Sequence, residues 1–184
     1  MPSTNLLYQN RYAINDSISI IIPKVGEIIE DEDAYYNLVS VLTAMPIDLM
    51  VQLEDAGIDF TSINEYELFL LMFAGFKSQD TSLVFGDLDL SKFKIAVNEE
   101  NGTVVLLDEE HDIKIDRAIH GQITGVLRKI HHLEKNRRKP ANDEAKQFML
   151  KRAREKLKRR KNRKRRFTAR VAHSRNGQHR TVQI

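Results

Sequence analysis

Residues 94–116 read KIAVNEENGTVVLLDEEHDIKID. Three short aliphatic runs, KIAV, TVVLL and IKI, are separated by two polar gaps. The first gap carries Asn101-Gly102, the dipeptide that most readily adopts the positive φ angles of a tight hairpin turn. The second is DEEHD, five polar residues in a row. Phe93, Ile95 and Val97 alternate with Lys94, Ala96 and Asn98, the period of a strand with one covered face. A small antiparallel meander is expected, with Asp116 placed to cap a following helix.

On both sides of the meander the period changes to that of helices. Downstream, Ile119, Ile123, Val126, Leu127, Ile130 and Leu133 form one apolar stripe. Gly121 and Gly125 lie four apart in the same stretch; they either admit a close neighbour or are simply tolerated, and the second reading is favoured. NRRKPAND (136–143) breaks the chain. Asn142 then caps a last helix with acids in its first turn and an apolar face of Ala145, Phe148, Met149, Ala153 and Leu157. Beyond Leu157 that face disappears while the charges continue.

Upstream, LFLLMFAGF (68–76) is apolar on nearly every side and reads as a central helix. SINE (62–65) has the form of a capping box at its start, and Gly75 is its expected stop. Tyr35, Leu38, Val39 and Leu42 recur at helical spacing behind the acids EDED (30–33). Pro46 suits the first turn of another helix, with a stripe of Leu49, Met50 and Leu53, which Gly57 ends. SISIII (17–22) reads as an edge strand stopped by Pro23, and a second short strand is expected from Val25 to Ile29. The fold class is α+β: helices packed with a small antiparallel meander, followed by a protruding basic C-terminal helix. Three parts are expected: an acidic globular domain over 1–139, a basic amphipathic helix over 140–166, and a disordered tail over 167–184, where no apolar period exists.

Charge divides the chain in the same place. Residues 1–127 hold 7 Lys/Arg against 22 Asp/Glu, a net of −15, and residues 128–184 hold 22 against 4, a net of +18. Such a split indicates an acidic globular part with a basic tail. Cysteine is absent, which excludes disulfides, thiolate zinc sites and thiol nucleophiles and suits a cytoplasmic protein. The longest apolar run is too short to span a bilayer, and MPSTNLLYQN lacks the basic and apolar regions of a signal peptide.

Sites of chemistry are few. Asp108, Glu109, Glu110, His111, Asp112 and Asp116 crowd together, but no calcium-loop pattern is present and acids gather naturally in exposed turns. His131 and His132 are adjacent, so on a helix they point apart. Asp112 to Lys114 has the Asp-x-Lys form of nuclease sites, which would need Asp87 or Asp89 one strand away. There is no phosphate-binding glycine loop and no serine elbow. Neither catalysis, nor a cofactor, nor a metal is expected. The basic helix has a definite alternative use: Lys151, Arg152, Arg154, Lys158, Arg159, Arg160, Lys161, Arg163 and Lys164 could neutralise phosphates of a nucleic acid. With aromatics nearly absent after Phe148, such binding is expected to be non-specific, steeply salt-dependent and weak at physiological salt, where the acidic part repels phosphate.

LFLLMFAGF, the meander and GVLRKIHHLEKNRRKPANDEAKQFMLKRAREKLKRRKNRK (125–164) together resemble small tail-region proteins of phages and prophages in Gram-positive bacteria, a group associated with tail assembly chaperones. The resemblance covers roughly residues 11–164. It implies a non-enzymatic chaperone in the bacterial cytoplasm, binding the tape measure protein and tail tube subunits without a membrane. Ile123, Val126, Leu127, Ile130, Phe148, Met149 and Leu157 are the candidate partner surface, used as a helix-in-groove interface. After Lys164 the chain departs from the family pattern, where an acidic-apolar helix is expected. The neighbouring reading frame permits such a continuation from Arg166 on, and tail assembly chaperones often occur in two forms related by a ribosomal frameshift. An A-rich slippery run is therefore expected in the codons for KRRKNRKRR (158–166).

Overall fold

The computed structural model describes residues 10–98 and 102–176; at Phe76 and from Lys164 onward it describes the backbone alone. Among the described residues the fold is α+β: seven helices with two small antiparallel sheets, ending in a long C-terminal helix. Two compact units divide it. One comprises the chain up to Leu49 together with Phe60–Arg137, and the other comprises Met50–Asp59 together with the chain from Arg138 onward.

The first unit opens with a two-stranded sheet, β1 (Arg11–Ala13) and β2 (Ser19–Ile21), in the register Tyr12↔Ile20. The Asn15 side chain forms the turn by accepting from the Ser17 and Ile18 amides at 3.0 and 2.7 Å. Ile18 and Ile20 of SISIII are fully buried. The strand expected from Val25 to Ile29 is instead a short helix, α1 (Val25–Glu30). Pro23 ends the extended segment, and the Glu27 carboxylate accepts from the Lys24 amide at 2.7 Å, which closes a helical first turn. Val25 and Ile29 are left exposed.

Helix α2 (Glu32–Leu42) starts at Asp31 and buries Tyr35, Leu38, Val39 and Leu42, the stripe read from the sequence. Residues Pro46–Leu49 form a single 3-10 turn. After the other unit's segment, α4 (Glu65–Phe76) begins two residues later than SINE indicates. Asn64 is the cap, accepting from the Tyr66 and Glu67 amides at 2.9 and 3.1 Å, while Glu67 accepts from the Asn64 amide at 2.8 Å. Two overlapping cap patterns exist here, and the one whose N3 residue is Glu67 forms. Gly75 does not stop α4, which runs on to Phe76. Nor is α4 buried all round: Leu68, Phe69 and Phe73 are buried, but Leu71 is exposed.

Helix α5 (Ser82–Phe85) and a 3-10 turn (Leu90–Lys92) lead into the meander. Strands β3 (Lys94–Val97), β4 (Val104–Asp108) and β5 (Ile113–Ile115) pair in that order, antiparallel throughout. Gly102, at φ 67°, supplies the left-handed residue that the Asn-Gly signal foretells. Leu106 lies opposite Ile115 and both are fully buried. The expected alternation in β3 is only partly realised: Phe93 is fully buried, but Ile95 and Val97 are more than half exposed. β3 is an edge strand, and its inner face outruns the cover available to it.

Asp116 caps α6 (Arg117–Ile130), accepting from the Ala118 and Ile119 amides at 2.9 Å each. One core joins Ile20, Leu38, Phe69, Phe73, Phe93, Leu106, Ile123 and Leu127 with their neighbours. A Cβ built on Gly121 or Gly125 meets nothing within 4 Å, so these glycines are tolerated rather than required.

The second unit pairs α3 (Met50–Asp55) with α7 (Asp143–Asn176). Gly57, at φ 76°, ends α3 as its position suggests. Asn142 caps α7, accepting from the Ala145 amide at 2.8 Å. Leu150 is buried, with Met149, Ala153 and Leu157 half-buried on the same side. Val51 and Leu53 are buried on α3, so its inner stripe is displaced from the expected Leu49, Met50 and Leu53. The helix continues to Asn176, ten residues beyond the boundary expected at Arg166. No Gly or Pro interrupts 143–176, and Lys, Arg and Ala are good helix formers. The remainder of the expected tail, 177–184, lies outside the described residues. Among the described residues no single helix is long and apolar enough to cross a membrane.

Candidate functional site: a groove in the acidic unit and the basic helix

Arg128, near the end of α6, organises one edge of the first unit. Its guanidinium donates to Glu65 Oε2 at 3.0 Å, to the Thr43 carbonyl at 2.8 Å and to Met45 Sδ at 3.4 Å. Lys135 also pairs with Glu65. Burial of Glu65 favours its neutral form, but hydrogen bonds from Lys135 and Arg128 outweigh burial and hold the carboxyl below its ordinary range. The Thr43 hydroxyl donates to the Val39 carbonyl at 2.7 Å, closing the last turn of α2.

Around this anchor lies a groove of about 630 Å³, lined chiefly by α2, residues 43–49, Met72 of α4 and residues 128–134. Its apolar lining comes from Val39, Val41, Met45, Leu49, Met72 and Leu133; Asp48, Arg128, His131 and Glu134 supply polar groups. Tyr36 and Leu133, which also line it, are 49% and 43% exposed. His131 ends α6, and His132, at φ 51°, turns the chain so that Leu133 lies beside the groove. His131 Nε2 and the Tyr35 hydroxyl are hydrogen-bonded at 2.9 Å. Burial, with His132 nearby, lowers the His131 pKa and so favours the neutral ring. Burial, and then the neighbouring Tyr36, pushes the Tyr35 hydroxyl up to about 12. Asn136 then donates to Asp48 at 3.1 Å across the outer end.

The surface expected from the apolar stripes is not this one. Ile123 and Leu127 are fully buried, and Val126 and Ile130 pack against the same core. In the second unit Met149 and Leu157 are half-buried on the side of Leu150. Ile123 and Leu127 are taken up by the chain's own core, and the other four are partly covered by the chain's own packing. Helical periodicity announces that a face is covered, and is silent on what covers it. Phe148 is the exception, at 59% exposure, with the Arg152 guanidinium 5.5 Å from its ring centre. It belongs to the outer face of α7 together with Lys151 and Arg152, three and four residues on.

The basic residues divide likewise. Lys146 pairs with Asp59 at 2.9 Å and Glu54 at 3.8 Å, and Arg154 with Asp55 at 2.7 Å. Lys151, Arg152, Lys158, Arg159, Arg160, Lys161 and Arg163 are exposed; the side chain of Lys164 lies outside the described residues.

In the DEEHD turn, Asp108 is buried and accepts from the Glu110 amide at 3.1 Å and from His111 Nδ1 at 2.8 Å. Burial would raise its pKa, but the His111 and backbone hydrogen bonds win and hold it low. Ligand atoms of Asp108, Glu110 and His111 lie within 4.8 Å of one another. Lys92 already pairs with Glu110 at 3.2 Å, so a cation would compete with an internally satisfied turn. Asp89, the other acid of the nuclease hypothesis, caps the 3-10 turn by accepting from the Ser91 amide at 2.9 Å.

Neither His120 nor Arg128 stands out in the sequence. A polar residue within an apolar stripe is the only signal either offers, and both lie on the buried side of α6. Protein-family models, curated proteins and solved structures all return no match to this chain.

Proposed function

We propose that the protein is a non-enzymatic phage tail assembly chaperone that works in the cytoplasm of the bacterial host. It binds the tape measure protein and tail tube subunits and holds an apolar helix of its client until tube subunits displace it. The observation that supports this reading is the groove between α2 and the end of α6. Its apolar lining suits one face of an amphipathic helix. Met45 and Met72 are unbranched and polarisable, so they re-pack around side chains of different shape. The tail-gene resemblance of residues 11–164 supplies the class of client.

Co-expression with the tape measure protein and tube subunit of the same gene cluster tests the proposal. The expected result is a stable complex with the tape measure protein that tube subunits dissociate. Leu133→Glu and Tyr36→Ala, both at exposed positions, abolish the complex while the circular dichroism spectrum is unchanged. Absence of any complex between the wild-type chain and either tail protein overturns the proposal.

A further inference from the structure

The acids of residues 54–59 neutralise one side of α7 only. Glu54, Asp55 and Asp59 pair with Lys146 and Arg154. Residues 151–163 nevertheless carry nine Lys/Arg and a single acid, Glu155. Most of that charge points away from the buried Leu150 side and is exposed. At a rise of about 1.5 Å per residue, the stretch from Phe148 to Arg163 runs about 22 Å. This length of positive field suits a polyanion rather than a single anionic group.

Phe148 decides which polyanion. The sequence places it on the docked apolar face, yet it stands 59% exposed on the charged one. Arg152 lies over the ring, a cation–π arrangement that steadies it, while more than half of the residue stays exposed. An exposed aromatic beside a row of bases is of no use to a duplex backbone, whose bases are already stacked. It is the arrangement used to hold single strands, where phosphates follow the positive row and a base stacks on the ring.

We infer that the outer face of α7 is a binding surface for single-stranded nucleic acid. Phosphates lie along Lys151, Lys158, Arg159 and Arg163, and one base stacks on the exposed ring of Phe148. Recognition is independent of sequence, because every base has a π-face and the phosphates carry no sequence information. The inference stands apart from the chaperone reading, which uses the other unit.

The test uses the full chain and a fluorescent oligo-dT of about 15 nucleotides, within the usual single-strand site size, beside a duplex of equal length. Binding is measured from about 50 to about 200 mM salt. The oligo-dT is expected to bind more tightly than the duplex. About four phosphate contacts give a log–log salt slope near −3. Phe148→Ala is expected to weaken oligo-dT binding by roughly 5- to 150-fold, with the slope and the duplex affinity unchanged. Phe148→Tyr restores it. The triple variant Lys158→Ala, Arg159→Ala, Arg163→Ala flattens the slope by about 2. No binding at the lowest salt overturns the inference. So does equal binding of oligo-dT, duplex and polyglutamate with no effect of Phe148→Ala, which would make the helix a general cation surface.

Discussion

His120 is 3% exposed, and its Nε2 has no hydrogen-bond partner among the described residues. The ring packs against Phe69 at 4.5 Å and Tyr66 at 5.5 Å. Burial lowers its pKa from 6.5 to about 4; Glu65 nearby opposes the shift and Arg128 adds to it. The folded state therefore binds fewer protons here than the unfolded state. Stability from this residue is complete above pH 6.5 and is lost as the pH falls toward 4. The loss amounts to about 3 kcal/mol over that window. His131, lowered too, loses stability in the same direction, and Glu65 contributes its own loss as the pH falls through the ordinary glutamate range and below it. His120→Met is expected to flatten the stability profile between pH 6.5 and 4.5 in urea titrations; an unchanged slope would remove His120 from the account. Arg128 is the second residue on which this unit depends. Arg128→Met leaves the Thr43 carbonyl without its donor and is expected to cost about 2–3 kcal/mol. Urea unfolding at pH 7 measures it, and a loss under about 0.5 kcal/mol, typical of a surface change, would contradict the anchoring role.

Among the elements, those marked by both a cap and a stripe were legible in advance. Asp116 before Ile119 and Ile123, and Asn142 before Met149, each locate a helix start that the structure places there. The meander was legible because Asn-Gly and DEEHD are turn chemistry, fixed by local backbone preference rather than by distant packing. Two kinds of element were not. VGEIIE (25–30) is β-branched in part, and Pro23 together with the Glu27 carboxylate on the Lys24 amide favours a helix. At α4 two cap patterns overlap, and the sequence does not rank Ser62 against Asn64. Asn64→Ala is therefore expected to cost about 1 kcal/mol, because it removes both acceptor contacts to the Tyr66 and Glu67 amides. Asn64→Asp preserves them and is expected to be near neutral. Thermal unfolding of the two variants separates them; equal destabilisation would move the cap elsewhere.

At the scale of the whole molecule, the charge split and the division into units nearly coincide. The unit containing α2, α4 and α6 carries 11 Lys/Arg and 20 Asp/Glu, a net of −9, and the unit containing α3 and α7 carries 18 and 6, a net of +12. The basic helix was legible from composition. Its support was not: residues 50–59 belong with α7, nearly a hundred positions away, and a linear scan cannot see that Glu54, Asp55 and Asp59 are the acids that face Lys146 and Arg154. The same blindness applies to the expected partner surface, since a stripe such as Ile123 and Leu127, which the chain's own core covers, looks identical when a partner covers it. The paired helices make a separable claim. Leu150 is 1% exposed and is the largest fully buried side chain among the described residues of the second unit. Leu150→Ala is expected to cost about 2–4 kcal/mol, and the cost should fall on one unit. Hydrogen exchange should rise together in α3 and in residues 146–157 of α7, whose amides share that small core, while β4, β5 and α6 keep their protection. Exchange that rises equally across both units would mean that the two cores unfold as one, and would reject the division.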